Sequence, residues 1–131
     1  MRTFFALVCV AALAACAQTP QESEMRYRSV AVGGEVVLDN FGFWDRNCRS
    51  RSFTRKLSQE PANGQISYRD ATYVVPQRAG IGTSSGCVGK PVASKEVVYT
   101  PNDGFTGEDV VGIVVGNQSG SLGFVYTISV N

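Results

Sequence analysis

The chain has 131 residues, of which 44% are hydrophobic and 18% are charged. Its 12 lysines and arginines nearly balance its 11 acidic residues, and this near-neutral charge argues against a general binder of nucleic acid or other polyanions. The sequence contains no histidine, so it lacks the usual base of serine hydrolases and a common ligand of zinc.

The first 15 residues have the organisation of an export signal. Arg2 supplies positive charge, and the apolar run over residues 4–13 is too short to cross a bilayer as a mature helix. The run ends in Leu13-Ala14-Ala15-Cys16, which resembles the lipobox of bacterial lipoproteins. The resemblance implies that residues 1–15 are removed and that Cys16 becomes an acylated N-terminus anchored in the membrane. An ordinary secretory signal with a chance cysteine is the alternative.

The residues after Cys16 predict a short tether and a location. Residues 17–27 are polar, contain Pro20 and show no apolar period, so residues 16–27 are expected to link the anchor to a domain over residues 28–131. Ala17, rather than an aspartate, follows the lipobox cysteine. By the sorting pattern of Gram-negative lipoproteins, this implies the outer membrane of the bacterial cell envelope.

The four cysteines divide into three groups. Cys9 lies in the signal and Cys16 is expected to carry lipid, which leaves Cys48 and Cys87. Two remaining cysteines in an exported chain predict one disulfide, with two free buried thiols as the alternative. On the loop-entropy model such a bridge adds up to about 4 kcal/mol to the free energy of unfolding.

After the tether, the pattern is one of short strands and turns. Val30, Val32, Val36 and Leu38 alternate around Gly33-Gly34 and predict one strand with a bulge or kink. Further strands are expected over residues 53–57, 65–68, 71–75, 94–100, 109–115 and 122–130, with 109–115 buried on both faces and 124–130 alternating. Residues 61–64 predict a turn whose Asn-Gly pair suits positive φ. About seven strands with no helical period favour an all-β, antiparallel sandwich.

A longer motif supports that fold class. The segment Val98-Tyr99-Thr100-Pro101-Asn102-Asp103-Gly104-Phe105-Thr106-Gly107-Glu108-Asp109 resembles the Tyr-Thr-Pro-x-x-Gly-Phe-x-Gly-x-Asp signature of bacterial immunoglobulin-like, cadherin-like domains. The resemblance implies an immunoglobulin-like sandwich over roughly residues 28–131. Val111 and Ile113 stand where family members usually place aromatic residues, which indicates a distant branch.

The motif residues are expected to have structural roles. Gly104 and Gly107 permit backbone angles that other residues resist, and Phe105 can fill the space between two sheets. Asp109 can accept hydrogen bonds from loop amides, as short acidic side chains do in turns.

Three possible chemical motifs fail on their physical requirements. Residues 82–86 match the Gly-x-Ser-x-Gly nucleophile elbow, but no histidine base and no following helix are available. Residues 84–91 are a poor phosphate loop, because Pro91 replaces the residue that holds magnesium. Asp103, Glu108 and Asp109 raise the question of calcium, but their spacing does not reproduce an alternating acidic loop. We expect no metal, no cofactor and no catalytic residues.

The best candidate for a binding site covers residues 41–56. Phe41, Phe43 and Trp44 precede a basic run that contains Arg46, Arg49, Arg51, Arg55 and Lys56. In one extended strand, Arg49, Arg51 and Arg55 would share a face and could meet an acidic glycan or an envelope protein. The alternative is a charged edge strand, with the aromatic residues closing one end of the core near Cys48.

The expected function is that of a non-enzymatic envelope lipoprotein for binding, adhesion or scaffolding at the cell surface or in the periplasm. One alternative is an inhibitor of an envelope hydrolase, which would use the disulfide-tethered loop over residues 78–90. A second is an enzyme that uses carboxylates such as Asp103 and Glu108, which would require a pocket with raised carboxyl pKa values.

Overall fold

The computed structural model describes residues 22–77 and 85–131. The predicted export signal, Cys16 and the part of the predicted tether before residue 22 lie outside the described residues, as do residues 78–84, which include the first part of the Gly-x-Ser-x-Gly match. The described chain forms strands β1 (Ser23–Val30), β2 (Val36–Gly42), β3 (Thr54–Gln59), β4 (Gly64–Val74), β5 (Pro91–Pro101), β6 (Gly107–Asn117) and β7 (Gly120–Val130), and a 3-10 turn over Ser85–Cys87.

The seven strands form two sheets. The four-stranded sheet has the order β1-β7-β6-β3, and the three-stranded sheet has the order β2-β5-β4. This confirms the all-β, immunoglobulin-like sandwich of seven strands with one disulfide. Four of the strand pairs are antiparallel. Strands β1 and β7 run in the same direction and pair in parallel, which is possible because the rest of the domain connects them.

The main core lies between the two sheets. Strand β7 places the alternating residues Phe124, Tyr126, Ile128 and Val130 into it, as predicted, and each is almost fully buried. Strand β6 adds apolar residues on the same face of this sheet, and the residues that face them come from β2 and β5 of the other sheet. Strand β6 buries its core-facing residues completely, but Val110 and Val114 on its other face are only half-buried. The predicted burial of β6 on both faces is therefore complete on the core side and partial on the other side.

The predicted kinked strand around Gly33-Gly34 is wrong. Gly33 has a φ of +74°, and the Gly34 amide donates to the Ala31 carbonyl oxygen at 2.9 Å. This turn separates β1 from β2 and sends them into different sheets. A left-handed glycine reverses the chain here, where the alternation alone suggested continuity.

Two other predicted boundaries differ from the structure. Strand β1 begins at Ser23, so the tether does not extend to residue 27 and the domain does not begin at residue 28. Strand β4 runs unbroken through Arg69 and Asp70, where the sequence suggested two short strands. Arg69 pairs with Glu35 and Glu96 on neighbouring segments, and these ion pairs accommodate polar residues within one strand.

The signature loop has the structural roles that were predicted for it. Gly104 and Gly107 have φ values of +74° and +125°, and Phe105 packs against the main core. The Asp109 carboxylate accepts hydrogen bonds from the amides of Ala62 and Asn63, both at 2.9 Å. Asp109 thereby ties β6 to the connection between β3 and β4.

The strand directions give the sandwich two distinct ends. The proximal end contains the start of β1, the β2–β3 connection (residues 43–53), the described part of the β4–β5 connection (residues 75–77 and 85–90) and the β6–β7 turn. The distal end contains the connections over residues 31–35, 60–63 and 102–106. A tether that precedes β1 must therefore reach the proximal end.

Candidate functional site

The β2–β3 connection, here called the basic loop (residues 43–53), is held by one carboxylate. Asp45 accepts hydrogen bonds from the amides of Asn47 at 2.8 Å and Arg49 at 3.0 Å. The Arg49 amide lowers the pKa of the Asp45 carboxyl, although partial burial opposes this. Cys48 completes the turn with a φ of +60°, which is unusual for a residue other than glycine. The loop geometry is thus determined by a charged side chain within the loop itself.

The predicted disulfide joins this loop to the β4–β5 connection. Cys48 and Cys87 are bonded, with their Cα atoms 5.3 Å apart. Cys87 is fully buried and packs with Val75 and Val92 in a second apolar cluster. Because Val97 on β5 faces the main core, Val92 faces the other side of the three-stranded sheet. The bridge and its cluster therefore cover the outer face of that sheet at the proximal end.

The candidate aromatic residues pack within the fold. Phe41 is 9% exposed and lies in the main core, with its ring centroid 5.3 Å from that of Phe124. Phe43 stacks on Phe53 at 4.8 Å. Trp44 stacks on Tyr73 at 6.0 Å beside the disulfide cluster. This arrangement matches the alternative in which these rings close one end of the core.

The candidate arginines do not share one strand face, so that prediction is wrong. Arg49 and Arg51 are exposed in the basic loop, and Arg49 lies 3.6 Å from the Asp45 carboxylate. Only Arg55 belongs to β3, where its guanidinium lies 4.4 Å from the centre of the Tyr68 ring. The cause is the Asp45 turn, which folds residues 43–53 into a loop instead of an extended strand. The structure separates the exposed cations of the loop from the half-buried Arg55.

A polar cluster that the sequence analysis missed joins the two sheets. Asp39 on β2 accepts hydrogen bonds from Arg26 on β1 and from the Tyr126 hydroxyl on β7, the latter at 2.8 Å. Burial raises the pKa of Tyr126 to about 12, so its hydroxyl stays protonated and can donate. The Arg26 guanidinium also lies 4.5 Å from the Phe124 ring centre. The sequence predicts a tether over residues 16–27, which includes Arg26, and therefore gives no signal for the contact between Arg26 and Asp39.

The candidate catalytic carboxylates are either exposed or engaged in structural hydrogen bonds. Asp103 and Glu108 are both exposed at the distal end. Asp109 is buried, with 3% of its surface exposed, and its carboxylate is occupied by structural hydrogen bonds, including one from the Tyr99 hydroxyl at 2.8 Å. Among residues 22–77 and 85–131, no group of three or more potential ligand residues could hold a metal ion. Within the same residues, no helix has the length and apolar character needed to cross a membrane.

Comparison with protein-family models and with curated proteins finds no match for this chain. The resemblance to immunoglobulin-like domains therefore rests on the signature residues 98–109 and on the two-sheet architecture around them.

Proposed function

We propose that this protein is a non-enzymatic lipoprotein of the bacterial envelope, whose immunoglobulin-like domain binds or scaffolds an envelope protein or glycan. The observation that carries the proposal is the Cys48–Cys87 bridge, in a chain whose residues 1–16 resemble an export signal that ends in a lipobox. Structural disulfides are rare in the reducing cytosol and common in exported proteins. The bridge and the lipobox thus support the same compartment from independent residues.

The distance along the chain from the anchor to the domain supports a scaffolding role. Six residues lie between Cys16 and Ser23, where β1 begins, so seven Cα–Cα steps join the two. Even a fully extended chain of that length spans at most about 25 Å. An acylated Cys16 would therefore hold the proximal end next to the bilayer and leave the distal end facing away. Ala17 favours the outer membrane as the location.

The use of the carboxylates supports a role without catalysis. Asp109 is held by amides of the β3–β4 connection and by Tyr99, and these bonds lower the pKa of its carboxyl in spite of burial. A general acid would need the opposite shift at neutral pH. Asp103 lies in a distal connection and Glu108 near the start of β6, and both are exposed to solvent.

The position of the disulfide favours scaffolding over the hydrolase-inhibitor alternative. An inhibitor would insert the loop over residues 78–90 into an enzyme. The described part of this loop, residues 85–90, lies at the proximal end, on the same side as the start of β1. With the short tether, residues 85–90 would face the membrane and not an approaching enzyme.

Intact mass spectrometry of the protein from its native membrane tests the proposal. We expect a chain that starts at Cys16, carries acyl groups and is two hydrogens lighter than the reduced form. The matched variant Cys16→Ser should lack acyl groups and leave the membrane fraction, while it keeps the Cys48–Cys87 bridge. An unacylated wild-type chain would contradict the anchor. Crosslinking in the same membranes then separates the alternatives, because a captured hydrolase would indicate an inhibitor.

A further inference from the structure

The charges of the connections are separated between the two ends of the sandwich. The distal connections contain Glu35, Glu60 and Asp103 and no lysine or arginine. The proximal connections that the structure describes contain Arg46, Arg49, Arg51 and Lys90, all exposed, with Asp45 as their acidic residue. A nearly neutral chain therefore has a basic end and an acidic end.

The acidic groups near the proximal end are partly engaged. Asp45 accepts the loop amides described above, and Glu24 at the start of β1 pairs with Arg26 at 3.0 Å. Glu22 is exposed just before β1. Four cations thus face solvent around the basic loop, while one neighbouring carboxylate is bonded to Arg26 and another to the loop itself.

Exposed apolar side chains lie at the same end. Val74 at the end of β4 is 59% exposed, Val88 beside the disulfide is 41% exposed, and Leu122 after the β6–β7 turn is 36% exposed. Isolated apolar side chains on a protein surface are ordinary. Together with four exposed cations, however, they form the combination that suits the boundary between lipid headgroups and acyl chains.

We propose that the proximal end docks directly on the anionic headgroups of the membrane that holds the anchor. The inference rests on the proposed lipid anchor, because the occupant is identified by the chain that leads to it. With only six residues between Cys16 and Ser23, the tether keeps the basic loop close to the bilayer, within reach of its surface charge. The proximal end meets the membrane, and the acidic distal end faces away from it.

The experiment uses the mature, acylated protein from its native membrane, reconstituted into vesicles. One set contains phosphatidylethanolamine and phosphatidylglycerol, and the other contains phosphatidylethanolamine and phosphatidylcholine. Trp44 is the single tryptophan of the chain and lies in the basic loop, so energy transfer from it to a dansyl headgroup reports docking. We expect greater transfer in the anionic vesicles, and a fall as the salt concentration rises.

The test variant carries Arg46→Gln, Arg49→Gln and Arg51→Gln. Each basic residue near an anionic surface strengthens attachment roughly fivefold, so the ratio of docked to undocked domain should fall about 100-fold. Equal transfer in the two vesicle types for the wild-type protein, or unchanged transfer for the variant, would overturn the docking proposal.

A matched control carries Gln65→Glu, Asn102→Asp and Thr106→Glu, three exposed positions at the distal end. It has the same net charge as the test variant, so a simple effect of net charge would lower transfer in both. We expect the control to behave like the wild-type protein. An intact disulfide and an unchanged unfolding midpoint establish that both variants are folded.

The mass of the reconstituted protein distinguishes failure of the docking proposal from failure of the proposed lipid anchor. An acylated protein whose transfer ignores the three arginines would overturn docking and leave the anchor in place. A protein without acyl groups would overturn the anchor and, with it, the docking that depends on it. A third outcome is that the wild-type protein captures an acidic protein, the arginine variant does not, and energy transfer is the same for both. That outcome would assign the basic loop to the acidic protein and contradict docking.

Discussion

At the scale of single residues, Asp109 organises the distal end. Its carboxylate accepts the amides of Ala62 and Asn63 and the Tyr99 hydroxyl, so three segments meet at one charge. Burial disfavours the ionised form, but the amides of Ala62, Asn63 and Val110 and the Tyr99 hydroxyl outweigh it and lower the pKa of Asp109. Burial and the neighbouring carboxylate raise the pKa of Tyr99, which keeps its proton for this bond. The motif aspartate is therefore a structural anion.

The substitution Asp109→Asn should lower the free energy of unfolding by about 3 kcal/mol, because an amide cannot satisfy these donors as a carboxylate does. Urea unfolding at pH 6 measures the loss. Asp103→Asn, at an exposed position of the same loop, should change stability by less than about 0.5 kcal/mol. Equal effects of the two substitutions would contradict the role given to Asp109.

The same carboxylate predicts a pH dependence. The pKa of Asp109 is lower in the folded chain than its ordinary value of about 4 in the unfolded chain. Its contribution is therefore complete above about pH 4 and is lost as the pH falls through the folded-state pKa. The stability difference between wild type and Asp109→Asn should shrink below pH 4. A difference that stays constant from pH 6 to pH 2 would show that ionisation of Asp109 is irrelevant.

Gly64 shows why a residue can be predicted correctly for the wrong reason. The Asn63-Gly64 pair does mark a turn, but Gly64 does not have the positive φ that such pairs often provide. A Cβ atom at Gly64 would instead overlap the ring of the buried Tyr99. The position excludes side chains because a distant strand packs there, and that contact is invisible in a local pattern.

At the scale of elements, the sequence predicts strands in which apolar and polar residues alternate throughout, but it does not predict the edge strand β1. Strand β7 lies inside its sheet, so one face is uniformly apolar. Strand β1 lies at the edge, where Met25 and Tyr27 face solvent and Arg26 reaches across to Asp39. Its residues therefore have the composition of a tether.

The start of the domain provides an element-scale prediction. A chain that begins at residue 28 lacks most of β1 and the Arg26 partner of Asp39, which leaves a partly buried charge and an open edge on β7. We expect this chain to aggregate or to unfold at a much lower urea concentration than one that begins at Glu22. Urea unfolding of the two purified proteins gives the two midpoints for comparison. Equal midpoints would contradict the assignment of residues 23–27 to the fold.

The candidate site was predictable in its chemistry but not in its geometry. The sequence showed aromatic and basic residues close together, and Trp44 and the cations of the basic loop do lie near the disulfide, whereas Phe41 and Phe43 pack in the main core. It could not show that the Asp45 turn interrupts the strand, or that Phe43 and Trp44 stack on Phe53 and Tyr73. Both features depend on partners that are brought together by the tertiary fold.

The disulfide makes a prediction about the connection between elements. Replacing Cys48 and Cys87 by alanine should lower the free energy of unfolding by about 2–4 kcal/mol, since the bridge restricts the unfolded chain and covers the second apolar cluster. The variant Cys16→Ser, which keeps the bridge, serves as the control. Urea unfolding of both variants with and without reductant gives the comparison. A reductant effect that survives the double substitution would point to a cause other than this bridge.

At the scale of the whole molecule, the separation of charge between the two ends gains a function only through the proposed anchor. The net charge is +1, so the protein as a whole has little attraction for an anionic surface. Orientation matters because the basic loop and the start of β1 share one end, while Glu35, Glu60 and Asp103 occupy the other. If the tethered domain tumbled freely, its basic and acidic ends would face the membrane equally often. If the domain is docked, only the basic end faces the membrane.

Lengthening the tether separates proximity from direct docking. An insertion of about 20 Gly and Ser residues before Glu22 should lower the effective concentration of the domain at the bilayer roughly tenfold, since this concentration falls as about the −3/2 power of linker length. If the proximal end docks, transfer from Trp44 remains greater in anionic than in neutral vesicles after the insertion. The three-arginine variant should abolish that difference in the long chain as it does in the native one. If the tether alone holds the domain close, the insertion lowers transfer equally in both vesicle types, and the basic end needs another partner.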